Sequence, residues 1–483
     1  MKKILLFILF PFFCFGQTQI GADIDGEAGN LYSGSSVSLS GDGSIVAIGA
    51  TQQWTFGENS ASVRVYKNVS GTWTQVGADI DGEAADDGNG WSVSLSSDGT
   101  TLAIGAPGND GNGSFSGSVR VYKNVSGTWT QVGGDIDGEA AGDWSGSSVS
   151  LSNDGSILAI GALTNSGNGT YSGSVRVYKN VSNTWTQVGT DIDGEAAGDW
   201  TGNSVSLSGD GSILAIGAPQ NDGNGAESGS VRVYKNVSGT WTQVGGDIDG
   251  EAAGDSFGSS VSLSTDATTL AIGAIANDGN GFNSGSVRVY KNVSGTWTQV
   301  GTDIDGEAAG DQSGSVSLSG NGSILAIGAT NNGGNGNGSG SVRVYKNVSG
   351  TWTKVGTDID GEAAGDESGS VSLSGDGSIL AIGAPGNYGF TGSVRVYDLS
   401  AVLSSDSFVL ANFSVYPNPA SGTVTISFQE DLILEKVNVY NTLGQLVKTE
   451  KSTSISMSSL TNGSYFFEVI TNEGKATKTI IKK

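Results

Sequence analysis

Residues 135–189 read DIDGEAAGDWSGSSVSLSNDGSILAIGALTNSGNGTYSGSVRVYKNVSNTWTQVG, and the fold is decided there. Four segments have strand character: 148–152 (SVSLS), 157–161 (ILAIG), 174–178 (SVRVY) and 184–188 (TWTQV). They are rich in Val, Ile, Thr, Tyr and Trp, and the first and third alternate with period two. Asn153-Asp154-Gly155 separates the first pair, a tight-hairpin signal because these residues tolerate the positive φ such turns require. Lys179-Asn180-Val181-Ser182-Asn183 supplies a second turn. The unit recurs: Ser-Val-Arg-Val-Tyr places its arginine at Arg64, Arg120, Arg176, Arg232, Arg288, Arg343 and Arg395, with spacings of 56, 56, 56, 56, 55 and 52. Asp-Ile-Asp-Gly-Glu begins at Asp23, Asp79, Asp135, Asp191, Asp247, Asp303 and Asp358. Seven copies of a four-stranded antiparallel unit predict an all-β chain, a seven-bladed β-propeller of 56-residue repeats.

The ends of the array support a closed ring over a stacked solenoid. The Trp-bearing fourth strand occurs six times, at Trp73, Trp129, Trp185, Trp241, Trp297 and Trp352, and the seventh copy runs from Tyr397 into Asp398-Leu399-Ser400 without it. At the other end, Gln19-Ile20-Gly21 matches the Gln187-Val188-Gly189 that closes a fourth strand. The N-terminal segment is therefore expected to supply the outer strand of the last blade, which removes exposed sheet edges. A solenoid would carry atypical polar capping repeats instead.

Composition narrows the chemistry. The 483 residues include no His, one Cys, 79 Gly and 6 Pro, with 23 Lys plus Arg against 48 Asp plus Glu. Without His there is no Ser-His-Asp or Cys-His nucleophile and no His-ligated metal. The net charge of −25 argues against nucleic acid and anionic membranes, whose phosphates require clustered cations. Residues 1–16, with Lys2, Lys3 and an apolar run to Phe15, read as a secretory signal peptide cut after Gly16. The run is too short for a membrane span. Phe12 and Phe13 ahead of Cys14 do not suit a lipoprotein anchor, and cleavage leaves a chain without disulfides.

Two stretches resemble known families. Phe257-Gly258 followed by SVSLS and Ala271-Ile272-Gly273-Ala274, with Gly105-Ala106-Pro107, Gly217-Ala218-Pro219 and Gly383-Ala384-Pro385 in other copies, resembles the FG-GAP repeat of seven-bladed propellers such as integrin α-subunit heads. The likeness covers residues 17–400. It departs where integrin-type repeats carry a calcium loop between the first two strands, since this chain has only short turns such as Asn153-Asp154-Gly155. After a linker at 401–412, residues 413–483 read as a small β-sandwich, with strands expected at 424–428, 436–441, 446–450, 465–470 and 476–481. This segment resembles the C-terminal sorting domain of the Bacteroidetes type IX secretion system. The matching residues are Tyr416-Pro417-Asn418-Pro419, Leu443-Gly444, Gly463 with Tyr465, and the terminal Lys482-Lys483. The resemblance implies the type IX machinery as a partner, passage across the outer membrane via the periplasm, and a secreted or surface location. Residues 401–483 carry seven basic and seven acidic residues, so the 14 basic and 41 acidic residues of 17–400 hold 27 net negative charges.

Candidate sites follow from the repeats. In the third copy Asp135, Asp137, Glu139 and Asp143 stand at positions 1, 3, 5 and 9 of a Gly-containing loop, a spacing that brings oxygens round a hard cation such as Ca2+. The same set recurs as Asp191, Asp193, Glu195 and Asp199; Asp247, Asp249, Glu251 and Asp255; Asp303, Asp305, Glu307 and Asp311; and Asp358, Asp360, Glu362 and Asp366. The first copy has Leu31 at position 9, and Gly146 replaces the bidentate Glu of an EF-hand. The competing reading makes these acids caps, partners of the repeated Arg, or a solvated rim. Each Arg of SVRVY is expected to pair with an Asp of its own or the adjacent blade. The repeated Trp read as packing residues.

Copies also differ, and function tends to sit on variable loops over a rigid scaffold. Trp91, Trp144 and Trp200 precede the first strand in copies two to four, where other copies have Phe257, Gln312 or Glu367, and copy one alone has Trp54. These four Trp are candidate ligand-stacking residues, with packing as the competing role. No unique carboxylate pair of the kind a glycosidase needs stands out. The expectation is a monomeric, non-catalytic surface or secreted propeller that binds glycan, protein or matrix. A secreted polysaccharide-active enzyme and a structural spacer are the alternatives.

Overall fold

The computed structural model describes residues 16–27, 32–51, 61–403, 409–410, 412–429, 432–442, 444–472 and 474–483. The signal-peptide reading up to Phe15, Leu31, Trp54, Leu443 and part of the 401–412 linker lie outside the described residues. The chain divides into two compact units, one of Gln19–Lys354 with Asp358–Asp398 and one built on Leu399–Lys483.

In the third copy the strands Ser145–Leu151, Ile157–Ala162, Ser174–Val181 and Thr184–Gln187 pair antiparallel in chain order. Local chemistry sets the hairpin: the Asp154 carboxylate accepts from the Ser152 hydroxyl at 2.7 Å and the Ser156 amide at 2.9 Å, and Gly155 takes φ +66°. Ile160 lies opposite Val149 on one side and Arg176 on the other. At Gly161 a Cβ would run into the carbonyl oxygen of Gly202, which is why the second strand needs glycine where the next sheet's first strand approaches.

The unit has one element more than the four strands expected. Ile136–Asp137, inside the acidic loop, pairs with Ser118–Val119 of the preceding sheet. Burial of Ile136 among Val119, Val121, Leu158 and Ile160 drives this pairing. Each fully buried Val, Leu or Ile contributes roughly 1.5–3 kcal/mol, so this core, shared by two copies, welds neighbouring sheets.

Among the described residues seven sheets carry the repeat, six of them five-stranded. The sixth copy's sheet has four strands because Thr351–Asp360 runs without a break. The last sheet takes Thr18–Gln19 and Ile24–Asp25 beside Ser393–Asp398, and the Ile20 amide donates to the Val396 carbonyl at 2.7 Å. Ile24, Leu39, Val46 and Ile48 share a core with Ala381, Val394 and Val396, the same packing that joins consecutive copies. This arrangement of radially repeated antiparallel sheets is a β-propeller.

The second unit has two antiparallel sheets. One contains Phe413–Tyr416, Thr423–Phe428 and Ser454–Ser456; the other contains Leu434–Tyr440, Leu446–Glu450, Gly463–Thr471 and Gly474–Lys482. Five of these strands match the expected ones to within two residues at each end. Phe413–Tyr416 and Ser454–Ser456 were not anticipated, being short and interleaved with Ser and Tyr.

Candidate functional site

In every propeller sheet the acidic loop, the start of the first strand, the end of the second and the start of the third lie at one end, because the strands alternate in direction. The site is therefore built from that end.

Within one acidic loop the four carboxyl-bearing residues do not converge on one point: Asp137 and Glu139 share Arg176, and the other two engage groups of their own. Asp135 accepts from the Gln131 side-chain amide at 2.6 Å. Asp137 offers its main-chain carbonyl to Arg176 at 2.8 Å. Glu139 faces Arg176 at 4.0 Å. Buried Asp143 accepts from the Glu139 and Ala140 amides at 3.1 and 2.9 Å, closing the turn. In the next copy Asp199 does the same and also accepts from the Asn221 amide at 3.2 Å. Asp191, Asp193 and Glu195, Asp247, Asp249, Glu251 and Asp255, Asp303, Asp305 and Asp311, and Asp358, Asp360 and Asp366 occupy the equivalent places. Among the described residues no three acidic side chains are grouped so as to hold a metal ion.

The buried arginines join sheets by a different contact from the one expected. Arg176 bonds the carbonyl of Asp137 and the hydroxyl of Ser145 at 3.4 Å, and its charge meets Glu139 rather than an aspartate. Arg232, Arg343 and Arg395 repeat the carbonyl-plus-hydroxyl pattern with Thr201, Ser313 and Ser368. The fifth copy substitutes Phe257 for the hydroxyl residue, and its fully buried ring lies 4.1 Å from the Arg288 guanidinium. Phe257 is thus the arginine's partner rather than the counterpart of Trp144 and Trp200. Several of the repeated Trp do more than pack: the Trp129, Trp185 and Trp241 indoles donate to Val76, Val132 and Val188 of the preceding copy, whereas the Trp297 and Trp352 indole N–H groups are buried without a partner among the described residues.

A second acid contact crosses from copy to copy. Glu83 faces Asp135, Glu139 faces Asp191, Glu195 faces Asp247, Glu251 faces Asp303 and Glu362 faces Asp23, each pair within hydrogen-bonding reach. Burial first, and then the facing aspartate against the opposing pull of the arginine, hold these glutamates above the ordinary carboxylate range. At the sixth junction Lys354 replaces the usual Gln. Its ammonium lies 2.6 Å from Asp358 and 3.7 Å from Glu307.

Aromatic side chains crowd the same end. The Trp144 amide donates to the Phe115 carbonyl at 3.1 Å, Trp200 to Tyr171 at 3.2 Å and Tyr32 to Phe390 at 3.1 Å. The Tyr32 and Phe390 rings are 5.1 Å apart. The homologous pairs elsewhere are Ser256 with Glu227, Gln312 with Asn283 and Glu367 with Gly338, so aromatics mark one set of junctions and polar residues the other. Tyr171, Trp200 and Phe115 are exposed, as is Phe282 at 73%. Trp91, also exposed, stands three residues further along its loop than Trp144 and Trp200 do in theirs, with Gly88 at their position. Sequence reading missed Tyr32, Phe115, Tyr171, Phe282 and Phe390; for Phe115, Tyr171 and Phe390 the signal was present as a variable residue directly before the Ser-Gly or Thr-Gly that leads into a third strand, whereas Tyr32 precedes a first strand and Phe282 stands one residue further back.

In the second unit the sorting-motif residues clamp the last strand. Asn418 donates to the Thr479 carbonyl and accepts from the Ile481 amide, both at 2.9 Å. Lys482 donates to the Ser421 carbonyl, the Lys483 amide to the Ala420 carbonyl, and the buried Tyr465 hydroxyl to Thr461. Gly444 takes φ +76° in the turn between Asn441 and Gln445.

Comparison with known proteins agrees with both units. The FG-GAP repeat model matches residues 78–122, 136–178, 185–234 and 248–290, and the secretion system C-terminal sorting domain model matches residues 414–483. A relative, the ulvan lyase NLR42 of Nonlabens ulvanivorans, is 36% identical over 85 residues, 17% of this chain, which thereby spans 16% of that protein. Among solved structures, the hydrazine synthase of Kuenenia stuttgartiensis superposes with a TM-score of 0.50 at 15% identity, covering 78% of this chain and 97% of that one, a likeness of fold alone. No helix among the described residues is long and apolar enough to cross a membrane. Residues 78–290 are accordingly a run of FG-GAP repeats, and residues 414–483 a type IX C-terminal sorting domain that directs the chain to the outer surface or beyond.

Proposed function

We propose that the chain is a non-catalytic binding module of the cell surface or medium, and that a glycan or a protein docks on the propeller end bearing the loop aromatics. One observation carries this reading: the repeated titratable groups are engaged with one another and with the backbone, whereas the residues that vary between copies include exposed Trp, Tyr and Phe at a single end. Aromatic faces suit the apolar faces of sugars and protein side chains, and several weak contacts on one rigid ring gain avidity. The second reading, a polysaccharide-active enzyme, is favoured only by the ulvan lyase relative. Glycan and protein arrays probed with the secreted protein, followed by assay of product release from the bound polysaccharide, separate the two. Binding without products supports the module, and product release overturns it.

A further inference from the structure

Deepening the binding-module reading, on which it rests, we propose that a cavity between the loops of the fourth, fifth and sixth copies binds a neutral saccharide. The cavity has a volume of about 430 Å³. Trp200 and Ile275 give it apolar wall; Asn203, Gln220, Gln312 and Thr330 give it polar wall. In a unit with 41 acidic residues, none of the residues lining this cavity is charged.

Its origin is a local asymmetry of the repeat. In the fifth copy the first strand skips register between Phe257 and Ser260, whereas in the sixth it skips only between Ser313 and Ser315. The sixth copy therefore lacks the counterpart of Ser259, and Gly314 lines the gap. A Cβ at Gly314 would meet the Ile275 side chain. Trp200 and Gln312 occupy the same loop position in their copies, with φ of +56° and +52°, and both are fixed by a main-chain bond to the preceding copy. The side-chain amides of Gln220 and Gln312 have no protein hydrogen-bond partner among the described residues.

The ligand class follows from this lining. An indole face beside amides that donate and accept matches a pyranose, which has an apolar C–H face and a rim of hydroxyls. A volume of this size lies within the usual range for small-ligand sites. Uronate or sulfated sugars would enter without a cation to meet them, against 27 net negative charges on the propeller segment.

Affinity electrophoresis of the full secreted protein tests the assignment, with laminarin, galactomannan and xyloglucan as neutral probes and alginate and carrageenan as anionic ones. The expected result is retardation by at least one neutral probe and by neither anionic one. Trp200→Ala and Gln312→Ala should each weaken it tenfold or more, whereas Val125→Ala, at an exposed position where a third strand ends on the opposite side of its sheet, leaves it unchanged. Thermal melting verifies that the variants fold. Neutral-glycan binding that survives both substitutions overturns the cavity while leaving the binding module standing. Retardation only by anionic probes, or by none, overturns the saccharide assignment, and the module itself fails if the protein and glycan arrays are also blank or if the bound polysaccharide is turned over.

Discussion

Asp199 illustrates how little of the repeated acidity is free. It is 3% exposed and accepts from the Glu195 and Ala196 amides and the Asn221 side chain. Removing a buried charged acceptor leaves three donors unmatched, and hydrogen bonds to charged groups contribute about 1.5–3 kcal/mol each. Asp199→Ala is expected to lower unfolding stability by about 2–3 kcal/mol, read as a fall in the urea midpoint. A midpoint equal to wild type would mean that the loop holds its shape without the carboxylate. Phe257 makes the complementary point about exchangeability. Five copies meet the buried arginine with a Ser or Thr hydroxyl, one with Asn89 and one with an aromatic face, so the guanidinium requires electron density at that place rather than one residue type.

At the level of strands and loops, the sheet pattern was legible because β-branched residues alternate and Asp-Gly or Asn-Gly marks the first hairpin of every copy but the fifth, which has Asp266-Ala267. The fifth strand was not, since Ile136–Asp137 is two residues long and its partner belongs to the previous copy. The facing acids were hidden for the same reason: Glu139 and Asp191 are 52 residues apart and meet only when consecutive loops stack. Their consequence is a pH dependence with a definite sign. A glutamate whose folded affinity for the proton exceeds its unfolded one stabilises fully below the unfolded value near 4.5 and loses that contribution as pH rises through the folded one. The hairpin aspartates act oppositely. Burial alone would raise Asp154 and Asp210, but hydroxyl and amide bonds lower them, so their contribution disappears as pH falls through the folded value. The combined variant Glu139→Gln, Glu195→Gln, Glu251→Gln should therefore melt about 2 °C or more above wild type at pH 8 and show a smaller difference at pH 5. Lys354→Gln, which removes the ammonium between Glu307 and Asp358, should move the midpoint at pH 8 the other way. Equal shifts at both pH values would assign the effect to packing.

For the whole molecule, the division of charge separates two tasks. Residues 17–400 carry the entire net negative charge and the candidate ligand surface, while residues 401–483 are electrically balanced and have their own buried apolar residues, Val424, Ile426, Val437, Val439, Phe467 and Val469. The sorting motif was legible as short strings, but its physical role emerged only in three dimensions. Asn418 sits 63 residues before Ile481 and pins the final strand through both ends of its amide. If the export machinery reads that strand in its folded position, the clamp matters as much as the terminal lysines. Asn418→Ala should therefore reduce the surface and medium fraction several-fold, and deletion of 414–483 should abolish it, with the protein retained in the periplasm and the propeller's melting midpoint unchanged in the point variant. Fractionation of the producing cells with an antibody to the propeller measures this. Full export of the deletion would locate the sorting information elsewhere in the chain, and full export of Asn418→Ala would show that the strand's own residues suffice without the clamp.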